Sequence, residues 1–82
     1  MTGPLTRVRE IQGVGFEVVR ESQKMGRRSI AFRLHAEDAN EVAREIFEMD
    51  QAFALLAPDG PAPRVELWED AGRAATSFPR GA

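Results

Sequence analysis

The stretch Gly13-Val14-Gly15 is the first place where residue types could support chemistry, because paired glycines let a backbone approach a phosphate. A dinucleotide-binding loop needs a further glycine at position 18 and a helix behind it. Position 18 is valine, the residues after Gly15 read FEVVRE, a strand pattern, and no Gly-Lys-Ser/Thr phosphate loop occurs in the chain. The two glycines therefore predict a tight connection or a bulge between two strands.

The second stretch contains the only histidine, His35, followed closely by Glu37 and Asp38. Three potential metal ligands within four residues are a weak signal, and Asp38 has a simpler use as a helix cap. No motif places a base beside a serine, and the chain has neither cysteine nor tyrosine. We therefore predict that the protein is not an enzyme and that it has no metal site, no cofactor and no small-molecule substrate.

The length of 82 residues fits a single domain, predicted over residues 1–78 with a frayed tail at 79–82. Without cysteine there is no disulfide framework to support so small a core. No apolar run approaches the length needed to span a membrane, and the first ten residues lack the apolar segment of a signal peptide. The expected location is the cytoplasm.

Three strands are predicted in the first half of the chain. Ser29–Ala36 alternates strictly between larger apolar and other residues, which predicts that Ile30, Phe32 and Leu34 face a core. Phe16–Ser22 precedes it across a loop that contains Gly26, and the two read as an antiparallel hairpin. Leu5–Ile11 is rich in residues that favour strands.

A helix is predicted from Ala39 to Leu56, with Asp38 as N-cap and Glu41 completing a capping box. Its apolar residues recur every three or four positions: Ala39, Val42, Ile46, Met49, Phe53 and Leu56. A fourth strand is predicted over Arg64–Asp70, with Val65 and Leu67 toward the helix, and residues 74–78 could add a fifth.

The resulting order is β-β-β-α-β. One amphipathic helix can cover only one face of a small sheet, so the predicted class is α+β, with two layers. The sheet is expected to be mostly antiparallel with four or five strands, in an architecture like that of the β-grasp folds.

Three surfaces are candidates for partner binding. The face of the sheet away from the helix was expected to present Val19, Ala31 and Trp68, and a tryptophan on an open face often marks an interface. The charges are unevenly distributed, with seven basic and three acidic residues in 1–35 and two basic and ten acidic residues in 36–70. The basic hairpin tip consists of Lys24, Arg27 and Arg28, and the acidic helix stripe consists of Glu41, Glu45 and Glu48.

Each surface also has a simpler explanation. Charged tips and helix faces are commonly just solvated, and Trp68 could be covered by its own chain. The predicted function is a non-enzymatic module that binds a protein or itself, as a homodimer. The alternative is a nucleic-acid accessory protein that uses the hairpin tip. We consider this less favourable because Glu17, Glu21 and Glu66 were expected on the same sheet face as the only tryptophan.

Overall fold

The computed structural model describes residues 3–69. Its elements are β1 (Leu5–Ile11), β2 (Gly15–Ser22), β3 (Gly26–Arg33), α1 (Ala36–Ala54) and β4 (Arg64–Glu66). They confirm the predicted order and the two-layer α+β arrangement of one helix on one sheet. The predicted fifth strand at 74–78 and the tail at 79–82 lie outside the described residues.

The four strands form one mixed sheet in the order β3-β2-β1-β4. β1 pairs antiparallel with β2, and β2 pairs antiparallel with β3. β4 pairs parallel with β1, which requires the chain to cross from one end of the sheet to the other. α1 makes that crossing, so β3 and the short β4 are the two outer strands.

Glycines with positive φ lie in both hairpin turns. Gly26 has a φ of +73° and Gly13 a φ of +78°, a region that is unfavourable for residues with a side chain. The turn at Gly13 is closed by the amide of Val14, which donates to the carbonyl of Ile11 at 2.9 Å. The predicted hairpin with a glycine in its loop is confirmed.

The core between sheet and helix is built on small residues. Ala39 and Ala43 of α1 are fully buried against Val8 and Val18 of the central strands. Alanine at these helix positions lets the helix lie close to the sheet, because no long side chain separates them. Val65 and Leu67 pack against this core from the β4 side, as predicted.

The predicted orientation of β3 is wrong. Ala31 is opposite Val18 and packs against the core, whereas Phe32 is opposite Glu17 on the other face of the sheet. The register of β2 and β3 shifts at Ile30. Val18 pairs with Ala31 and the next residue, Val19, pairs with Ser29, so Ile30 has no partner on β2. This bulge changes the alternation, and Ile30, Phe32 and Leu34 are exposed.

The helix begins earlier than predicted. Its N-cap is His35, whose side chain makes no capping hydrogen bond, and Asp38 is inside the first turn. The predicted capping box with Asp38 and Glu41 is therefore wrong. Glu37 and Asp38 instead place two negative charges in the first turn, where the helix dipole favours them.

The buried side of α1 also differs from the predicted apolar stripe. Val42 and Ile46 pack against the core as expected, but Met49 and Phe53 are 58% and 65% exposed. The reason is that the polar residue Asp50 occupies the inward position of that turn, where it binds Arg20. The inward contact of this part of α1 is thus a polar one, and Met49 and Phe53 remain exposed.

Replacing Phe53 by alanine should therefore lower the free energy of unfolding by less than about 1 kcal/mol, because the side chain is largely in water already. A buried phenylalanine at this position, as the sequence pattern predicted, would cost about 3–5 kcal/mol. Urea unfolding of the variant and the parent separates the two values. A loss in the larger range would contradict the exposed position.

Candidate interaction surfaces

The sheet face away from α1, the open face, is covered by paired charges. Arg7 is 3.8 Å from a carboxylate oxygen of Glu21 and 3.8 Å from one of Glu66, and Arg9 is 3.7 Å from Glu17. These pairs are at least partly exposed, and each contributes little to stability. These two arginines and three carboxylates carry a net charge of -1, which makes this part of the face unsuitable for a polyanion.

Two apolar residues are buried on this same face. Val19 stands opposite Arg7 in the pairing of β1 and β2 and is only 1% exposed, and Leu5 is also buried. Val19 is thus on the open face as predicted but offers almost no surface to a partner. Ala31 is on the helix side, so the predicted apolar patch of Val19, Ala31 and Trp68 does not exist.

Trp68 is held on the helix side of the molecule. Its backbone amide donates to Oδ1 of Asn40 at 2.7 Å, and its carbonyl accepts from Nδ2 of Asn40 at 3.2 Å. Its ring meets that of Phe16 edge to face, with 5.5 Å between the ring centroids. The predicted position on the open face is wrong, and the simpler explanation, that the chain covers its own tryptophan, is supported.

An open concavity of about 800 Å³ lies beside Trp68. Its lining residues are Val8, Val65, Glu66, Leu67, Trp68 and Glu69. The titratable groups among them are Glu66 and Glu69, and Glu66 is already beside Arg7. This arrangement gives no acid–base pair of the kind that catalysis needs.

Asn40 is buried and the pair of Arg20 with Asp50 is partly buried, and the apolar pattern of the sequence revealed none of these polar contacts. Arg20 donates to Asp50 through Nε at 3.0 Å and through Nη2 at 2.9 Å. The hydrogen bonding of Arg20 to the Asp50 carboxylate, which accepts from it, raises the pKa of Arg20 above its ordinary value. The pair ties the second half of α1 to β2, so its role is structural.

The segment Gly13-Val14-Gly15 leads directly into β2 and not into a helix. Gly15 is buried, and a side chain there would collide with the ring of Phe32 and the carbonyl of Arg33. Both glycines are thus explained by the turn and by strand packing. Among residues 3–69, no cluster of three metal-ligating side chains is present, and His35 is exposed at the helix start.

The residues of the hairpin tip and of the acidic helix stripe are all exposed. The tip follows the end of β2, where Arg20 binds the second half of α1, and the stripe begins near the opposite end of the helix. Within the part of the chain that the structure describes, no ion pair joins the two surfaces. One molecule therefore leaves both charges available.

The outer strand β3 presents the most exposed apolar residues of the sheet. Ile30 and Phe32 are exposed within the strand, and Leu34, just after it, is 67% exposed. Across residues 3–69 the outer edge of β3 has no strand beside it. Backbone groups on such an edge can pair with another chain.

Met49 and Phe53 are exposed apolar residues on the helix side of the sheet, whereas Phe32 is on the open face. Asn40, which reaches Trp68 beyond β4, is about 180° around the helix axis from Met49. Because β3 and β4 are at opposite edges of the sheet, Met49 and Phe53 are on the flank of α1 toward β3. We call the combined region the β3 surface: Ile30, Phe32, Leu34, Met49 and Phe53.

Among the described residues, no helix is long and apolar enough to cross a membrane. No protein-family model matches the chain, and no curated protein and no solved structure gives a significant match.

Proposed function

We propose that this chain is a non-enzymatic, cytoplasmic module that works by binding protein through the β3 surface. The observation that carries the proposal is the exposure of several large apolar side chains beside a strand edge without a partner in residues 3–69. Large apolar side chains exposed around the edge of an outer strand are typical of an interface. The open face around Val19, where the sequence pattern placed the interface, is instead covered by charge pairs.

The strand edge supports a specific mode of binding. β3 is eight residues long, and its outward amides and carbonyls are suited to an added strand. Main-chain hydrogen bonds would supply the pairing, and the neighbouring side chains of Met49 and Phe53 would add apolar contact. Binding of this type needs no catalytic group.

A nucleic-acid accessory function is the second candidate. It is favoured by the positive charges of Lys24, Arg27 and Arg28 at the hairpin tip, which are exposed and form no ion pair within residues 3–69. However, Glu21 is directly opposite Arg27 and Glu17 directly opposite Phe32 on the neighbouring strand. Carboxylates at these positions would repel a phosphate backbone, so we rank this function below protein binding.

Site-specific photocrosslinking in living cells tests the proposal. A photoreactive amino acid is placed at Ile30 and, in a second variant, at Leu34. The matched control is Val14, which is 59% exposed and also apolar but is in the turn between β1 and β2. We expect protein crosslinks from positions 30 and 34 and few from position 14.

Mass spectrometry of the crosslinked bands identifies what is bound. Nuclease-sensitive bands from positions 30 and 34 would favour the nucleic-acid function. Equal crosslinking at all three positions, or none at 30 and 34, would contradict binding through the β3 surface.

A further inference from the structure

The β3 surface of one molecule can bind the β3 surface of a second copy of the chain. An antiparallel strand pair has a two-fold axis perpendicular to the sheet, so β3 can pair with β3 of a second molecule without any other surface being required. Both helices then lie on the same side of one continuous sheet. The flank with Met49 and Phe53 is near the hairpin tip, because the neighbouring Asp50 binds Arg20, so it lies with the tip beside the first half of the partner's helix.

The same arrangement brings opposite charges together. β3 runs from the hairpin tip at Gly26 to Arg33, and α1 begins shortly after it, at Ala36. In an antiparallel pair, the tip of one copy therefore lies beside the helix start of the other. Within a single molecule Glu41 and Glu45, in the first half of α1, are separated from the tip along the helix.

Side-chain directions fit this contact. Arg28 is opposite Arg20, which reaches Asp50 on α1, so Arg28 is on the helix side of the sheet. Glu41 and Glu45 are exposed in the first half of α1. Pairing of β3 strands would place Arg28 of each copy close to the carboxylates of the other.

We propose that the protein bound at the β3 surface is a second copy of this chain, held by antiparallel pairing of the two β3 strands and by contact of the basic hairpin tip with the partner's acidic helix stripe. This proposal rests on the proposed function. It commits to self-association because one chain supplies the strand edge, the apolar flank and both signs of charge. A different partner would have to provide all of these separately.

Sedimentation equilibrium of the purified full chain over a range of concentrations tests the stoichiometry. We expect a monomer–dimer equilibrium that persists at about 1 M salt, where the screening length is only about 3 Å, because the strand and apolar contacts remain. Ile30→Lys should weaken dimerisation at least about tenfold, since it places like charges near the symmetry axis. Val14→Lys is the matched control and should leave dimerisation unchanged.

A charge exchange tests the geometry. Arg28→Glu and Glu45→Arg should each weaken dimerisation about threefold at low salt, and the double variant should recover the parent value. Circular dichroism of each variant checks that the fold is kept, which we expect because Ile30, Arg28 and Glu45 are all exposed. Isotope-filtered NOEs in a mixed labelled sample should connect β3 to β3.

Three results would overturn the inference: a monomer at all concentrations, a dimer insensitive to Ile30→Lys, or intermolecular NOEs confined to the open face. A monomer whose position 30 crosslinks to a different protein in cells would remove the dimer and leave the proposed function standing. A monomer without crosslinks at positions 30 and 34 would remove both.

Discussion

Replacing Asn40 by alanine is expected to lower the free energy of unfolding by about 3 kcal/mol. The Asn40 side chain is buried in α1, where it both accepts from the amide and donates to the carbonyl of Trp68. Removing it leaves two partly buried backbone groups without partners, and each unsatisfied group costs about 1–3 kcal/mol. The loss is large for a domain of this size, whose total stability is only several kcal/mol.

Urea unfolding at a concentration where the chain is monomeric measures this loss. Gln51→Ala is the matched control, because Gln51 is an exposed amide side chain on the same helix. Trp68 supplies a second readout, since release of its backbone from α1 should weaken its packing on Phe16 and shift its fluorescence to longer wavelength. Equal stability of the two variants would mean that Asn40 does not anchor the segment after β4.

The hydrogen bonds of Asn40 to the backbone of Trp68 illustrate which parts of the fold could be predicted from the sequence and which could not. Element types and their order follow from periodicity, because the alternation in the strands and the spacing in the helix are properties of the local sequence. Val42, Ile46, Val65 and Leu67 were assigned to the core correctly on that basis. Asn40 was missed because an apolar pattern takes no account of a polar residue that is buried and fully bonded.

The errors have a common physical cause. Asp50 is on the inward side of α1, where Arg20 on a distant strand neutralises it, while Met49 and Phe53 near it along the helix are exposed. The bulge beside Ile30 likewise depends on how β3 pairs with β2 and not on β3 alone. Both effects are long-range, so neither could be read from local spacing.

The candidate site changed for the same reason. The hairpin tip and the acidic stripe are exposed, as their charges predicted, whereas the large exposed apolar side chains of the sheet are Ile30 and Phe32 of β3 and not Val19. A strand continued from Arg64 through position 68, with side chains alternating between the two faces, predicts Trp68 on the open face. The strand ends at Glu66, and the chain then turns toward α1, where Asn40 binds it.

Gly15→Ala is the second change with a large expected effect, a loss of about 3 kcal/mol in the free energy of unfolding. A Cβ at this position would be 2.5 Å from Cζ of Phe32 and 2.7 Å from the carbonyl oxygen of Arg33. The phenylalanine ring could turn away, but the carbonyl belongs to the backbone of β3, which is paired with β2 at this point. Relief would require the two strands to separate.

Gly13→Ala is the informative control, because the two glycines are constrained in different ways. Gly13 has a φ of +78° and open space around its Cα, so alanine there meets an unfavourable backbone conformation without a collision. We expect a loss of about 1 kcal/mol, clearly smaller than at Gly15. Urea unfolding of both variants gives the comparison.

Titration of the parent with NAD and ATP, followed by backbone amide shifts, completes the test of this segment. We expect no saturable shift at residues 12–16, since the turn leads into β2 and no helix start points its amides at a phosphate. If Gly15→Ala kept the stability of the parent while either nucleotide produced saturable shifts at this turn, the glycines would serve a ligand. Loss of stability at Gly15 without nucleotide binding would establish that Gly15 serves the close approach of β2 to β3.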